Sequence, residues 1–322
     1  MAQWDLPLDE MRAYAPDLPV PDDLADFWAS TLADARRHPL AATFEPVDTG
    51  LALVETFDIT FAGFGGSPIK GWFHLPVGRS GPVPAVVEFQ GYGGGRGLAH
   101  ERLLWPAAGF AYLLMDTRGQ GSTWSPGETA DPDGAGEPAH PGSMTRGILS
   151  HESYYYRRVF TDSVRAVEAA RSHPAVDASR VVVTGGSQGG AITIAAASLT
   201  PDLRGAATDV TFLADFPRAV TLIDKDPYAE VARYLKAHRD HVDQVFRTLS
   251  YFDVANLGTL SRVPALFSVA LMDTICPPST VYAAYNRYAA EKSIVEYPFN
   301  DHEGGQAFHD VVKLGWVKAH LA

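Results

Sequence analysis

The chain has 322 residues, 46% of them hydrophobic and 20% charged, a globular rather than a disordered balance. Its 38 acidic residues against 26 basic ones leave a formal charge of −12, which repels phosphate backbones and anionic lipid and argues against nucleic-acid or membrane partners. No apolar run is long enough for a spanning helix, and the single cysteine, Cys276, has no intrachain disulfide partner; with the acidic start, these features point to a cytoplasmic protein.

Residues 1–40 read as an N-terminal arm containing a helix. Pro21-Asp22-Asp23 opens it, and Leu24, Phe27, Trp28 and Leu32 recur at helical spacing. Residues 55–59 and 69–75 read as strands separated by the turn Gly65-Gly66-Ser67-Pro68, an antiparallel pair expected at one edge of a sheet. From residue 83 the pattern changes to short, nearly continuous apolar runs at 84–89, 110–115, 180–184, 265–271 and 294–297. Strands covered by helices on both faces read this way. Helical stretches are expected at 155–171, from Ser187 onward, and at 278–290. The reading is one α/β domain spanning 1–322, with a doubly wound, mostly parallel sheet. Two segments interrupt the alternation. Residues 121–147 are rich in Gly, Pro and Asp without a period, and residues 215–260 look like a helical cap insertion over the strand ends.

The most informative motif is Gly185-Gly186-Ser187-Gln188-Gly189, set between the apolar run at 180–184 and a helix-like stretch. That is the context of a nucleophile elbow, in which the serine sits on a sharp strand-to-helix turn. A serine hydroxyl needs a general base oriented by a carboxylate. In the α/β-hydrolase fold these follow in the order Ser, acid, His. Asp273 comes where a strand ends, and His302 lies in the loop after the last strand. Asp301 and Asp253 are rival acids; His309 and His320 also follow the last strand but fall in a C-terminal helix. The backbone N–H of Gln188 and that of Tyr92, in Gln90-Gly91-Tyr92-Gly93-Gly94-Gly95, are the candidate oxyanion donors, and the Tyr92 ring is a candidate wall of the acyl pocket. Cys276 reads as a buried small residue rather than a nucleophile, since no elbow surrounds it.

Taken together, Arg118-Gly119-Gln120, Gly185-Gly186-Ser187-Gln188-Gly189 and His302-Glu303 resemble the acetyl xylan esterase/cephalosporin C deacetylase family, carbohydrate esterase family seven. Thr145-Arg146-Gly147-Ile148, Tyr154-Tyr155-Tyr156-Arg157-Arg158 and the stretch from Met272 to Thr280 also look like family segments. The resemblance implies an α/β-hydrolase fold and deacetylation of acetylated sugars and cephalosporin C without metal or cofactor. It carries Ser187, Asp273 and His302 as a triad, with Tyr92 and Gln188 as oxyanion donors. It further implies a homohexamer whose active sites open onto an interior cavity, with the 121–147 loop at a subunit interface. Arg118, Gln120 and Glu303 are expected to support the site, a guanidinium–carboxylate pair of Arg118 with Glu303 fixing the histidine loop. Two alternatives remain: a peptidase- or thioesterase-like hydrolase with the same triad, and a non-catalytic binding protein on the same fold.

Overall fold

The apolar runs between residues 83 and 271 form strands largely buried on both faces, and the run at 294–297 forms a half-buried edge strand, in a computed structural model that describes residues 3–134 and 136–322. Met1 and Ala2 of the expected arm, and Ala135 of the 121–147 segment, lie outside the described residues. The strands are β1 (Thr43–Val47), β2 (Val54–Ala62), β3 (Pro68–Pro76), β4 (Val83–Phe89), β5 (Ala111–Met115), β6 (Val176–Gly186), β7 (Gly205–Asp209), β8 (Ala265–Ala270) and β9 (Lys292–Tyr297). They form one sheet in the order β1-β2-β3-β5-β4-β6-β7-β8-β9. From β5 to β9 every neighbouring pair is parallel. β1, β2 and β3 join antiparallel, and β3 pairs antiparallel with β5.

The antiparallel pair β2–β3 forms across the glycine turn, but it is not the sheet's edge. β1 lies outside it, in register Thr43 with Thr60. Its sequence, Thr-Phe-Glu-Pro-Val, has only exposed and half-buried side chains and carries a proline, which an edge strand tolerates and a central one does not.

Helices cover both faces, as a parallel sheet requires. The larger core lies under the helices Tyr155–Ser172 and Gln188–Leu199, joined by Leu24, Phe27 and Trp28 of the arm helix Leu24–Ala35. On the other face Val317 and Leu321 of the helix Gln306–Leu321 pack with Trp105, Phe110, Val86 and Val182. Between β7 and β8 the chain makes the helices Phe216–Leu222, Tyr228–Ala237, Val242–Ser250 and Val254–Leu257. Among the described residues, no helix is long and apolar enough to cross a membrane.

Candidate active site

Ser187 sits between the end of β6 and the helix Gln188–Leu199, with φ 57° and ψ −120°. A non-glycine residue in that region is strained and persists only where its surroundings hold it. The Ser187 N–H donates to the Asp209 carbonyl at 2.9 Å, and its own carbonyl accepts from Phe212 at 3.1 Å and Ala191 at 3.1 Å. Gly185 and Gly189, two residues either side of Ser187, are obligatory, whereas Gly186 has room for a Cβ. A Cβ on Gly189 would stand 2.1 Å from the Phe89 carbonyl oxygen, and one on Gly185 would stand 2.5 Å from Gly189.

The hydroxyl is aimed at the histidine loop. Ser187 Oγ lies 2.9 Å from His302 Nε2, and His302 Nδ1 lies 2.9 Å from Asp273 Oδ2. The other carboxylate oxygen, Asp273 Oδ1, accepts the backbone N–H groups of Ile275 at 2.8 Å and Cys276 at 2.9 Å. Asp273 is 1% exposed, so its charge is compensated by donors rather than by water. This chain of contacts can carry a proton from the serine to the imidazole while the carboxylate stabilises the resulting cation.

The two rival acids go elsewhere. Asp301 Oδ1 accepts from the Thr274 N–H at 2.7 Å and so ties the histidine loop to the Asp273 loop. Asp253 is the N-cap of Val254–Leu257 and accepts from Asp215, Phe216 and Ala255 N–H groups. Burial pushes its carboxyl up to about 7 against the pull of those donors. His309 and His320 lie in Gln306–Leu321, and His309 faces Asp209 at 2.9 Å.

The Tyr92 and Gln188 segments meet through Gln120. Its Oε1 accepts from the Gly93 N–H at 2.7 Å, and its Nε2 donates to Gln188 Oε1 at 2.8 Å. Gln188 Nε2 in turn donates to the Gln90 carbonyl at 3.2 Å. Among the described residues no backbone carbonyl takes the Tyr92 or the Gln188 N–H. Gln188 opens its helix, where a free N–H and the helix dipole both favour negative charge.

The Tyr92 side chain is held by Glu230 of the helix Tyr228–Ala237. Its hydroxyl donates to Glu230 Oε1 at 2.7 Å and accepts from the Ser143 N–H at 2.5 Å, while Glu230 Oε2 accepts from the Met144 N–H at 3.0 Å. Burial raises both the Tyr92 phenol and the Glu230 carboxyl. The Trp124 indole donates to the Tyr92 carbonyl at 2.8 Å. Ser143, Met144 and Thr145 are buried, so the 143–147 end of the segment docks on its own chain and steadies the Tyr92 ring, while most of residues 122–141 are exposed.

The expected Arg118–Glu303 pair does not form. The fully buried Arg118 guanidinium makes a two-point contact with Asp162, at 2.5 and 2.9 Å, and reaches Asp131 at 3.4 Å. Glu303 instead accepts from Asn300 Nδ2 at 2.9 Å in an exposed position. The reason is the helix Tyr155–Ser172, which presents Asp162, 1% exposed, on its buried face, where a carboxylate needs a cation. Arg118→Ala strips that partner, and we expect it to destabilise the fold by about 3–5 kcal/mol in chemical denaturation. A loss equal to that of a surface arginine would contradict this.

A cavity of about 190 Å³ opens beside Ser187 and His302, walled by Gly186, Asp209, Val210, Gly304, Gly305 and His309 among others. Tyr92 is not among the walls of this cavity; its ring is tethered to Glu230. Asp209 is half-buried, and desolvation would raise its carboxyl, yet Lys313 at 2.7 Å and His309 hold it well below the usual carboxylate range. Besides Asp209, sequence reasoning missed Trp4, whose indole donates to the Asp273 carbonyl at 3.2 Å, and Glu230.

The family model described as acetyl xylan esterase (AXE1) matches residues 1–320. The acetyl esterase Axe7A of Xylanibacter ruminicola is 26% identical over 291 residues, 88% of this chain; the match spans 63% of that relative's length. Among solved structures, the acetyl xylan esterase from Paenibacillus sp. R4 superposes with a TM-score of 0.92 at 36% identity, over 98% of this chain and 99% of that one. Acetyl xylan esterase 1 from Thermoanaerobacterium sp. JW/SL YS485 gives 0.91 at 32% identity, with 98% and 99% coverage. The acylaminoacyl peptidase of Pyrococcus horikoshii, at TM-score 0.58 and 16% identity over 84% of this chain and 41% of that one, shares the fold alone.

Proposed function

The chain belongs to the acetyl xylan esterase family, and from that premise we propose that it is a serine carboxylester hydrolase removing acetyl groups from xylo-oligosaccharides, other acetylated sugars and cephalosporin C-like small molecules. The observation that carries the reading is the unbroken run of 2.9 Å contacts from Ser187 through His302 to Asp273. Ser187 Oγ attacks the acetyl carbonyl while His302 Nε2 takes its proton. The Tyr92 and Gln188 N–H groups receive the oxyanion. His302 then returns the proton to the departing sugar oxygen, and collapse of the intermediate leaves Ser187 acetylated. Water attacks the acetyl-enzyme with His302 again as base, and acetate leaves.

Selectivity for short acyl groups is supported by the 190 Å³ cavity, smaller than the roughly 300–1,000 Å³ clefts that enclose drug-sized ligands. A rate panel tests this reading. We expect kcat/KM to be highest for acetyl esters, acetylated xylo-oligosaccharides and cephalosporin C, lower for propionyl, and poor for octanoyl. Equal values for acetyl and octanoyl esters would overturn the acyl limit. Faster cleavage of peptides or acyl-CoA would overturn the ester assignment.

The same proposal includes action in the cytoplasm, supported by a lone unpaired cysteine, and assembly as a homohexamer. Assembly is supported by apolar side chains left bare next to the His302 loop, with Phe299 80%, Phe308 87% and Val311 74% exposed. Trp124 of the 121–147 segment is 52% exposed. Light scattering at micromolar concentration should give six chains per particle; a monomer would refute it.

A further inference from the structure

The base histidine and two neighbours form a cluster of side chains of the kind that bind soft divalent cations. Asp273, Cys276 and His302 each offer one ligand atom, and these atoms all lie within 4.8 Å of one another. Zinc-like ions bind carboxylate oxygen, imidazole nitrogen and thiolate sulfur at about 2.0–2.3 Å, which sets two ligands of one tetrahedral ion about 3–4 Å apart. Asp273 Oδ2 and His302 Nδ1 already stand at 2.9 Å, so only a small separation is needed to admit an ion. The Cys276 thiol is free and fully buried, and hydrolysis as described above gives it no task. The Cys276 group that holds Asp273 is its backbone N–H.

We propose that Asp273, Cys276 and His302 form an inhibitory site for thiophilic divalent cations of the Zn²⁺ and Cd²⁺ type. The proposal rests on the reading of His302 as the base that serves Ser187. In the resting site the ring carries its proton on Nδ1, toward Asp273, and leaves the Nε2 lone pair for the serine. An ion on Nδ1 takes that position, and the ring proton moves to Nε2. Nε2 then faces Ser187 Oγ as a donor and can no longer accept its proton. The Cys276 thiol loses its proton to solvent as sulfur binds the ion. The ion's two positive charges are matched by one carboxylate and one thiolate, so the filled cluster is neutral and suits its buried position. Entry is past His302, whose side chain is 29% exposed and borders the 190 Å³ cavity. Hard ions such as Mg²⁺ prefer all-oxygen shells and gain little from sulfur.

The experiment titrates the full chain with Cd²⁺ and Zn²⁺ while following p-nitrophenyl acetate hydrolysis and the ultraviolet charge-transfer absorption of a cadmium–thiolate bond. The expected result is one thiolate-bound Cd²⁺ per chain, loss of hydrolysis in step with it, recovery on adding a chelator, and no effect of Mg²⁺. Cys276→Ala and the nearly isosteric Cys276→Ser should abolish the absorption. Relative to its own metal-free rate, each should be less sensitive by roughly 10–100-fold or more. Wild-type sensitivity in both variants, or inhibition without the absorption band, would overturn the proposal. If the chain hydrolyses no ester at all, it is the functional reading that fails. The absorption titration still decides the metal site, a band lost in both variants supporting it and no band refuting it.

Discussion

Ser187→Ala should lose about 10⁶ in kcat, the scale on which removing a triad serine acts, while KM changes little. The substitution removes one oxygen and keeps the Cβ. Alanine therefore inherits the φ of 57° imposed by the elbow, and the variant tests the hydroxyl rather than the backbone. The hydrogen bonds that pin the turn, from the Ser187 N–H to Asp209 and from Phe212 to the Ser187 carbonyl, involve main-chain atoms and survive. His302 loses its 2.9 Å contact but keeps Asp273, so the fold and the melting temperature should stay close to wild type. A residual rate above that of water is expected from the Tyr92 and Gln188 N–H groups alone. A variant retaining a tenth of wild-type activity with the fold intact would remove Ser187 from the mechanism. The measurement is steady-state hydrolysis of p-nitrophenyl acetate beside a thermal melt of both proteins.

The sequence makes legible those elements whose burial leaves a hydrophobic mark. β4, β5 and β8 are largely apolar on both faces, and the elbow's Gly185 and Gly189 sit at contacts that no larger residue survives. β7 escaped because Gly-Ala-Ala-Thr-Asp is almost wholly buried yet small, so burial there carries no hydropathy signal. β1 escaped because an exposed edge strand needs none. The site's main members follow from chain order and strand ends, since each lies just beyond a strand of the parallel sheet. Their supports do not follow, because the partners are remote in sequence. Arg118 meets Asp162 across 44 positions, and Tyr92 meets Glu230 across 138. One clue was available for the first. Asp162 interrupts the apolar face of its helix between Phe160 and Val164, and a carboxylate on a buried stripe demands a cation from somewhere. The arm gives no such clue, and nothing in its first residues marks Trp4 as a donor to the Asp273 carbonyl.

Asp273→Asn should cost about 10⁴ in kcat with the geometry of the site unchanged. The size of the loss follows from how the carboxylate is held. Asp273 Oδ1 accepts two backbone N–H groups, from Ile275 and Cys276, and Oδ2 faces His302 Nδ1. An asparagine has one oxygen to offer, and two fixed donors compete with one ring for it. Turned to satisfy Ile275 and Cys276, it points its NH₂ at His302, and Nδ1 must become an acceptor. The ring proton then sits on Nε2 and faces Ser187 as a donor, so the serine proton has nowhere to go. Turned the other way, the NH₂ would confront two N–H groups in a buried pocket, leaving polar groups unpaired at about 1–3 kcal/mol each. The first arrangement wins, and it is the wrong tautomer for catalysis. Asp301→Asn is the control, because an amide oxygen can still accept from Thr274, and only a small loss is expected. Asp253→Asn, remote from the histidine in its role as a helix cap, should likewise leave kcat nearly unchanged. If the large loss fell on Asp301 or Asp253 instead, the acid would be misassigned. The comparison needs only the three variants' kcat values, with a thermal melt to show that each is folded.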